Sequence, residues 1–473
     1  MKTNILDQRI LQSFGTSLLA RDATLLFANS PLHTDSPDRY EEDFFGRRLR
    51  PHVLKHIDFE SCLTTNELTS YRALALNRVL CAMYEADFLM MPRDQSNFSP
   101  VSFAEFYKPS KLSAAAVAIP HLEALLFDFL QDEIQISSSW SLTSLRAYFT
   151  DFRDSVFNST KNNAATAILN SSDRQTAARD WLLQLAPDFL IESSPMARYA
   201  PGSYGKVGSD LFKIIIDEYG YGDESKRHSS LFENTLQSCG LSCHPHRYWQ
   251  YYLGSSLMLS NYYNMLTRGK LNFFRYLGAI YQAETAFVSA CNCWRGAVLI
   301  SIEAADISYF DEHCHIDIDH SRMVFDTLID PVVQQYGPSI IPDIVRGFEE
   351  ASWLSSHAEN DFGEQTLWKD SAAEHMAFHD ANFRDVQRMA REGRIRVDSF
   401  VEPFGELSVT HSHDQDELCH VNSGEMEFLN GFGKSTILHA GEGIRIKRNR
   451  LHGALISSEQ CDYSIYGIGS LYQ

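Results

Sequence analysis

The chain has 473 residues, 44% hydrophobic and 12% aromatic, which is enough apolar material for two or three domains. Its formal net charge of −20 disfavours nucleic acid and anionic membranes as partners. Residues 1–7 lack a signal-peptide pattern, and no uninterrupted apolar run reaches the roughly 18 residues of a membrane span. Nine cysteines without framework spacing indicate reduced thiols and a cytoplasmic location.

Residues 1–135 have a helical pattern. One predicted helix spans about 71–91, and a second spans about 122–134 with apolar residues at helical spacing. No cluster of ligand-type side chains stands out in this region, so its expected role is packing or self-association. We expect a homodimer to which this region contributes.

The rest of the chain divides by its hydrophobic period. Long amphipathic segments predict a helical bundle over 136–370 and a charged linker helix over 371–394. From 395 to 473 the period changes to two, with glycine-containing turns, which predicts a small β-barrel. The alternating segments are 396–398, 406–409, 425–428, 444–446 and 463–466. The predicted fold class is therefore multidomain α + β.

One segment of the bundle has the spacing of a metal half-site. The side chains at i, i+4 and i+7 are His313, Asp317 and His320. At about 100° per residue they share one helical face, and two imidazoles with a carboxylate suit iron. His315 and Asp319 also stand at i, i+4, but Arg322 follows on their face and would repel a cation. The competing interpretation is a polar face with scattered histidines.

A bundle that holds two metals supplies carboxylates and histidines from several helices, because a buried carboxylate is costly without a cation. The upstream candidates are Glu192, Glu218, His228 and Glu284. Glu284 lies among small and apolar residues, where a structural role leaves its charge unexplained. For Glu192 and His228 alone, an exposed helix end explains the residue equally well.

The bundle resembles the haem-oxygenase-like diiron oxidase family. The residues that carry the resemblance are Asp217-Glu218, Gly220, Gly222, His228, Glu284 and His313-x-x-x-Asp317-x-x-His320. The resemblance implies a bundle that binds two irons rather than haem. The implied iron ligands are Glu218, His228, Glu284, His313, Asp317 and His320. The ten-residue step from Glu218 to His228 resembles the branch that N-hydroxylates arginine derivatives, in which Glu192 matches an additional ligand.

The predicted barrel carries a cupin motif. Its first part is Gly405, five residues, His411-Ser412-His413, three residues, Glu417, six residues and Gly424. Residues i and i+2 of a strand face the same side, so His411 and His413 both point into the barrel. Glu417 is either a fourth metal ligand or a neighbour of the ligands.

The second cupin motif is degraded. Gly441 is present and His452 has the expected offset, but Lys447 replaces a proline and Asn449 a glycine. His411, His413 and His452 would leave positions open on one iron for dioxygen and substrate. The competing interpretation is a metal-free cupin that binds a small molecule.

The order of helical region, diiron bundle and cupin resembles the N-nitrosourea-forming metalloenzymes of the streptozotocin pathway. This implies a non-haem iron oxygenase with two Fe(II) in the bundle, one in the cupin, dioxygen as co-substrate and an external reductant. The implied reactions are N-hydroxylation of the guanidino group of Nω-methyl-L-arginine, then rearrangement with N–N bond formation. No catalytic residue beyond the metal ligands is predicted. The alternatives are an N-oxygenase of another amino acid and a non-catalytic cupin sensor.

Overall fold

A computed structural model describes residues 17–137, 139–157, 159–202 and 205–469. Residues 1–7, which bear on the expected absence of a signal peptide, and the end of the predicted barrel, 470–473, lie outside the described residues.

The described residues that precede the barrel form mainly helices. The N-terminal helices are α1 Ser17–Ala28, α2 Pro51–Leu54, α3 Tyr71–Glu85, α4 Pro100–Phe106, α5 Pro109–Phe127 and α6 Leu130–Glu133. The following helices are α7 Leu142–Phe157, α8 Asn163–Asn170, α9 Arg174–Phe189, α10 Gly205–Glu218, α11 His228–Ser238 and α12 Gly254–Arg268. The last are α13 Phe273–Ser301, α14 Ser308–Met323, α15 Asp330–Tyr336, α16 Ile341–Asp370 and α17 Ala372–Arg391. A π-helical segment, Val324–Ile329, joins α14 to α15.

The helix predicted over 71–91 starts as expected but ends at Glu85. Beyond that point the chain turns, and the guanidinium of Arg198 lies over the ring of Phe88 at 4.0 Å. The helix therefore ends earlier than the sequence pattern indicates, and Phe88 beyond its end packs against a distant part of the chain.

The helix predicted over 122–134 is the end of a longer helical stretch. α5 already begins at Pro109, whose fixed φ suits the first helical turn, and α6 follows after a short break. The whole stretch Pro100–Glu133 is long and apolar enough to cross a membrane, but half of its most apolar window is buried inside the protein. Such burial is also found in the core helix of a globular domain.

The N-terminal helices and the bundle share one hydrophobic core. Buried members of that core include Leu76 and Leu80 on α3, Leu122 on α5, Leu257 on α12 and Leu277 on α13. The N-terminal region therefore packs against the bundle within one chain.

Helices α13 and α16 cross where both carry glycine. A Cβ on Gly278 would lie 1.7 Å from the carbonyl oxygen of Ile344, and a Cβ on Gly347 would lie 1.7 Å from that of Arg275. Only glycine allows two helix backbones to approach this closely. The crossing fixes the position of α13, which carries the predicted ligand Glu284.

We expect Gly347→Ala to lower the free energy of unfolding by about 3 kcal/mol, because the methyl group must push the two helices apart. Gly363→Ala on the same helix is the matched control, since its Cβ would meet nothing closer than 3.8 Å. Urea unfolding measures both variants. Equal effects would show that the crossing is not tight.

After α17 the chain forms two antiparallel sheets. Their strands are β1 Val397–Pro403, β2 Leu407–His411, β3 Glu417–Ser423, β4 Glu425–Leu429, β5 Ser435–His439, β6 Gly443–Ile446, β7 His452–Ile456 and β8 Gln460–Gly467. The strand orders are β1-β8-β3-β6 and β2-β7-β4-β5. This arrangement of eight strands is that of a jelly roll and is consistent with a cupin barrel. The predicted α + β fold class is confirmed.

Buried polar contacts hold the barrel against the helices. Arg78 on α3 donates a hydrogen bond to the carbonyl oxygen of Thr410 at 3.1 Å. Gln365 on α16 donates to the carbonyl oxygen of Leu451 and accepts from its N–H, both at 2.9 Å. Both barrel residues directly precede a predicted metal ligand, so the helical part restrains the strand ends that carry those ligands.

Candidate metal centres

Helix α14 places the predicted half-site on its buried face. His313, Asp317 and His320 are 2%, 0% and 0% exposed. The competing pair, His315 and Asp319, is exposed to solvent. The 313/317/320 register is therefore the one that faces the interior of the bundle.

Four of the predicted ligands form a first donor group, with donor atoms within 4.8 Å of one another. They are Glu192, Glu218, His228 and His313. His228 Nδ1 lies 2.8 Å from Glu218 Oε2 and 3.1 Å from His313 Nε2. Glu192 Oε1 lies 3.3 Å from His313 Nε2. Donors that share one metal ion at about 2 Å stand about 3 Å apart, so these distances suit a single ion.

A second donor group adjoins the first and consists of Glu218, Glu284 and His320. His320 Nδ1 lies 3.2 Å from Glu284 Oε2, 3.4 Å from Glu218 Oε1 and 3.7 Å from Asp317 Oδ1. Glu218 belongs to both groups, with Oε2 facing His228 and Oε1 facing His320. A carboxylate in this position can bridge two ions.

Asp317 provides a test of whether the donors fit a metal. It is completely buried, and within the described chain neither carboxylate oxygen has a hydrogen-bond partner. Burial, followed by the charges of Glu284 and Glu218, raises the pKa of Asp317 well above its ordinary value. A carboxylate buried this way is costly without a cation. The donor atoms of both groups are histidine nitrogens and carboxylate oxygens, and this combination fits two iron ions.

Neighbouring carboxylates raise the pKa of two bundle histidines, His313 and His320, which favours their protonated forms when no metal is bound. Burial lowers the pKa of His313, but Glu192 and Glu218 outweigh it and raise the pKa to about 9. Burial also lowers the pKa of His320, while Glu284 and Glu218 raise it to about 10. The two imidazolium groups then partly compensate the carboxylates, and a bound metal would replace these protons.

Two neighbouring groups orient the histidines on α14. His313 Nδ1 donates to the carbonyl oxygen of Tyr309 at 2.8 Å, which turns Nε2 toward His228 and Glu192 of the first donor group. His320 Nε2 donates to Asp217 Oδ2 at 3.4 Å, which turns Nδ1 toward Glu284 and the second donor group. Such partners fix the tautomer and ring orientation of metal-binding histidines. No role of Asp217 was predicted from the sequence, although its adjacency to the predicted ligand Glu218 was an available signal.

A glycine turn brings His228 back to Glu218. Glu218 is the last residue of α10 and His228 the first of α11. Gly220 between them has a φ of +58°, and a Cβ there would lie 2.7 Å from the backbone nitrogen of Arg227. Both facts require glycine. The ten-residue step between these two predicted ligands is therefore a compact reversal of the chain.

Glu192 lies in a turn after α9 and accepts a hydrogen bond from the Tyr309 hydroxyl at 2.9 Å. Its other carboxylate oxygen is buried and has no partner among the described residues. We expect Glu192→Gln to weaken Fe(II) binding at one of two bundle sites by about tenfold or more, since the ion loses an anionic donor. Anaerobic Fe(II) titration measures this change.

The matched control for Glu192 is Glu349→Gln, because Glu349 also accepts a tyrosine hydroxyl, that of Tyr148, but belongs to neither donor group. It should bind iron like the parent protein. If Glu192→Gln also binds iron like the parent, Glu192 is not a ligand and six bundle ligands remain.

The barrel contains a third donor group, formed by His411, His413 and His452. His411 is paired with His452 across β2 and β7, and their ring centroids are 4.6 Å apart. His413 lies just past the end of β2 rather than within the strand, yet its ring centroid is 4.8 Å from that of His411. The structure thus brings together the three predicted cupin ligands.

The barrel histidines differ from those of the bundle in the direction of their pKa shifts. Nδ1 of His411 and of His452 each donates to a backbone carbonyl oxygen at 2.9 Å, which leaves both Nε2 atoms free. Burial lowers the pKa of His411 well below its ordinary value, that of His413 to about 4 and that of His452 to about 3. All three are neutral at pH 7, which is the form that binds a metal.

Two further residues adjoin the barrel group. Glu417 Oε2 lies 3.2 Å from His413 Nε2 without a hydrogen-bonding geometry, and burial raises the pKa of Glu417 to about 7. The ring of Tyr71 on α3 is perpendicular to the His411 ring, with centroids 6.3 Å apart. The N-terminal region thus contributes to the surroundings of this group, which the sequence did not indicate.

Comparison with known proteins places these groups in context. A haem-oxygenase-type family model described as an iron-containing redox enzyme matches residues 179–356, which contain all seven predicted bundle ligands. The nitrosourea synthase of Streptomyces achromogenes subsp. streptozoticus is 44% identical over 455 residues, 95% of each chain. A domain of unknown function with a heme oxygenase-like fold from Shewanella denitrificans is 16% identical and covers 49% of this chain and 95% of its own, with a TM-score of 0.38.

Proposed function

The chain belongs to the nitrosourea synthase family, and from this premise we propose that it is an iron-dependent oxygenase with two reaction sites. The bundle site N-hydroxylates the guanidino group of Nω-methyl-L-arginine. The cupin site uses dioxygen to rearrange the hydroxylated product oxidatively to an N-nitrosourea, with formation of the N–N bond. Bound iron supplies dioxygen activation at both sites, and electrons come from an external reductant.

The observation that carries this proposal is the separation of the donor groups. Two groups share Glu218 inside the bundle, while three histidines form a distinct group in the barrel. A shared carboxylate is suited to two ions, and three neutral imidazoles are suited to one ion with open positions. Two centres of different composition in one chain favour two successive oxidations.

The protein's own residues contribute burial, orientation and a substrate cavity. Tyr309 and Asp217 hold the α14 histidines with one nitrogen turned toward the donor groups. A cavity adjoins the bundle donors and has aromatic walls formed by Trp181, Phe189, Phe287 and Trp294. These walls exclude water from the side of the centre where a substrate would lie.

Two alternative functions are less well supported than the proposed one. A cupin sensor with a purely structural bundle does not account for Asp317, whose buried oxygens have no partner in the described part of the chain. An N-oxygenase of another amino acid would keep the same bundle centre. The nitrosourea-forming relative, similar over nearly the whole chain, favours the guanidino substrate instead.

The direct experiment is anaerobic loading with Fe(II), followed by reductant, dioxygen and Nω-methyl-L-arginine. Mass spectrometry should show a hydroxylated derivative and then an N-nitrosourea. L-Lysine is the control substrate, because it is cationic but lacks the guanidino group. Hydroxylation without nitrosourea would support the alternative second step, and no oxidation of Nω-methyl-L-arginine would contradict the proposal.

We propose a cytoplasmic setting, which the free thiols support. All nine cysteines are free in the structure, which suits a reducing cytoplasm. We propose that the protein works there as a homodimer, and sedimentation at micromolar concentration tests the assembly.

A further inference from the structure

Asp188 is an acidic residue that the metal donors do not account for. It lies in the last turn of α9 and lines the cavity that also contacts Glu192, Glu218, Glu284 and His313. Among the described residues, no hydrogen bond or ion pair reaches its carboxylate. It is thus an unpaired acidic group in the wall of a cavity next to the bundle centre.

The position of Asp188 is unfavourable for a negative charge. A carboxylate in the last turn of a helix faces the negative end of the helix dipole. Burial and the nearby charge of Glu192 raise the pKa of Asp188 to about 7. The protein keeps this carboxylate where both the helix and the neighbouring acid oppose its charge, and a bound cation would relieve that cost.

Apart from His313, which is a predicted metal ligand, no side chain of the cavity wall carries a positive charge among the described residues. No lysine or arginine of the described chain lines the cavity. Glu359, another acidic residue of its wall, is already satisfied, since it accepts from Asn162 Nδ2 at 2.6 Å and from the backbone N–H of Asn163 at 3.2 Å. Asp188 is therefore the wall carboxylate left for a ligand.

We propose that Asp188 binds the cationic guanidinium group of the substrate in this cavity and holds its nitrogens beside the bundle donors. Paired N–H donors of a guanidinium match the two oxygens of a carboxylate. The inference rests on the proposed function and adds to it the residue that selects a cationic substrate. Asp188 would act as a substrate-binding group and not as a metal ligand.

The test uses the full chain loaded anaerobically with Fe(II), in a His411→Ala, His413→Ala background that disables the cupin donor group. Calorimetry compares Nω-methyl-L-arginine with Nω-methyl-L-citrulline, a neutral ligand of nearly the same shape. The parent should bind the cation at least about tenfold more tightly than the neutral ligand. Asp188→Asn should lose about tenfold or more in affinity for the cation only, with unchanged iron content.

The matched control is Glu359→Gln, which removes one negative charge from the same cavity wall and should keep the preference for the cation. Equal losses in both variants, or parent-like binding by Asp188→Asn, would overturn the inference. Loss of iron in Asp188→Asn would also overturn it, because Asp188 would then be a ligand.

Hydroxylation assays separate this inference from the proposed function. Asp188→Asn should raise KM for Nω-methyl-L-arginine far more than it lowers kcat. If the parent hydroxylates this substrate and Asp188→Asn does so with the same KM, only the inference fails. If the parent neither binds nor hydroxylates it, both fail.

Discussion

Replacing His411 and His413 with alanine is expected to abolish nitrosourea formation while guanidino hydroxylation continues. One of the three barrel imidazoles, that of His452, would remain, and a single neutral donor holds Fe(II) weakly. Nitrosourea yield should fall by about 100-fold or more, and hydroxylated Nω-methyl-L-arginine should accumulate. Mass spectrometry of single-turnover and multiple-turnover mixtures measures both products.

The control for the barrel variants is His439→Ala, since His439 lies exposed on β5 and outside the three-histidine group. It should form nitrosourea like the parent. If the double variant stops all substrate oxidation while the bundle still holds its irons, the division of labour between the two sites is wrong.

Replacing His313 and His320 with alanine is expected to remove both bundle irons and all hydroxylation. Each donor group then loses a histidine, and the buried carboxylates lose the imidazolium groups that compensate them without metal. Hydroxylation should fall by about 100-fold or more. Supplied with the hydroxylated intermediate, however, this variant should still form nitrosourea, because its barrel group is intact.

The matched control for the bundle variants is His315→Ala, which removes a histidine from the exposed face of the same helix. It should retain both irons and full hydroxylation. Circular dichroism checks that the double variant keeps its helices. Hydroxylation by a folded variant that lacks both histidines would place the first reaction elsewhere.

The part of the bundle site on one helix could be predicted from spacing alone. His313, Asp317 and His320 repeat at helical intervals, so their shared face follows from the geometry of one helix. Glu192 and His228 were ambiguous because each lies at a helix boundary, and only the tertiary fold brings them next to His313. Contacts between helices distant in sequence leave no local pattern.

Prediction of the strands from the sequence was limited in a similar way. β1, β2, β4, β6 and β8 alternate and were anticipated, whereas β3, β5 and β7 were not. β3 has five successive buried residues, because Cys419 and Val421 face the barrel core while Leu418 packs under Val386 of α17. A strand covered on both faces has no period of two for the sequence to display. The role proposed for Asp188 was equally hidden, since it depends on a cavity between helices.

The central claim is that one chain carries a two-ion centre and a separate one-ion centre. Iron analysis of the Fe(II)-reconstituted protein, freed of excess metal, tests this most directly. We predict about three irons per chain in the parent, about one after His313→Ala with His320→Ala, and about two after His411→Ala with His413→Ala. A parent that holds one iron per chain, unchanged by the two bundle substitutions, would contradict the account.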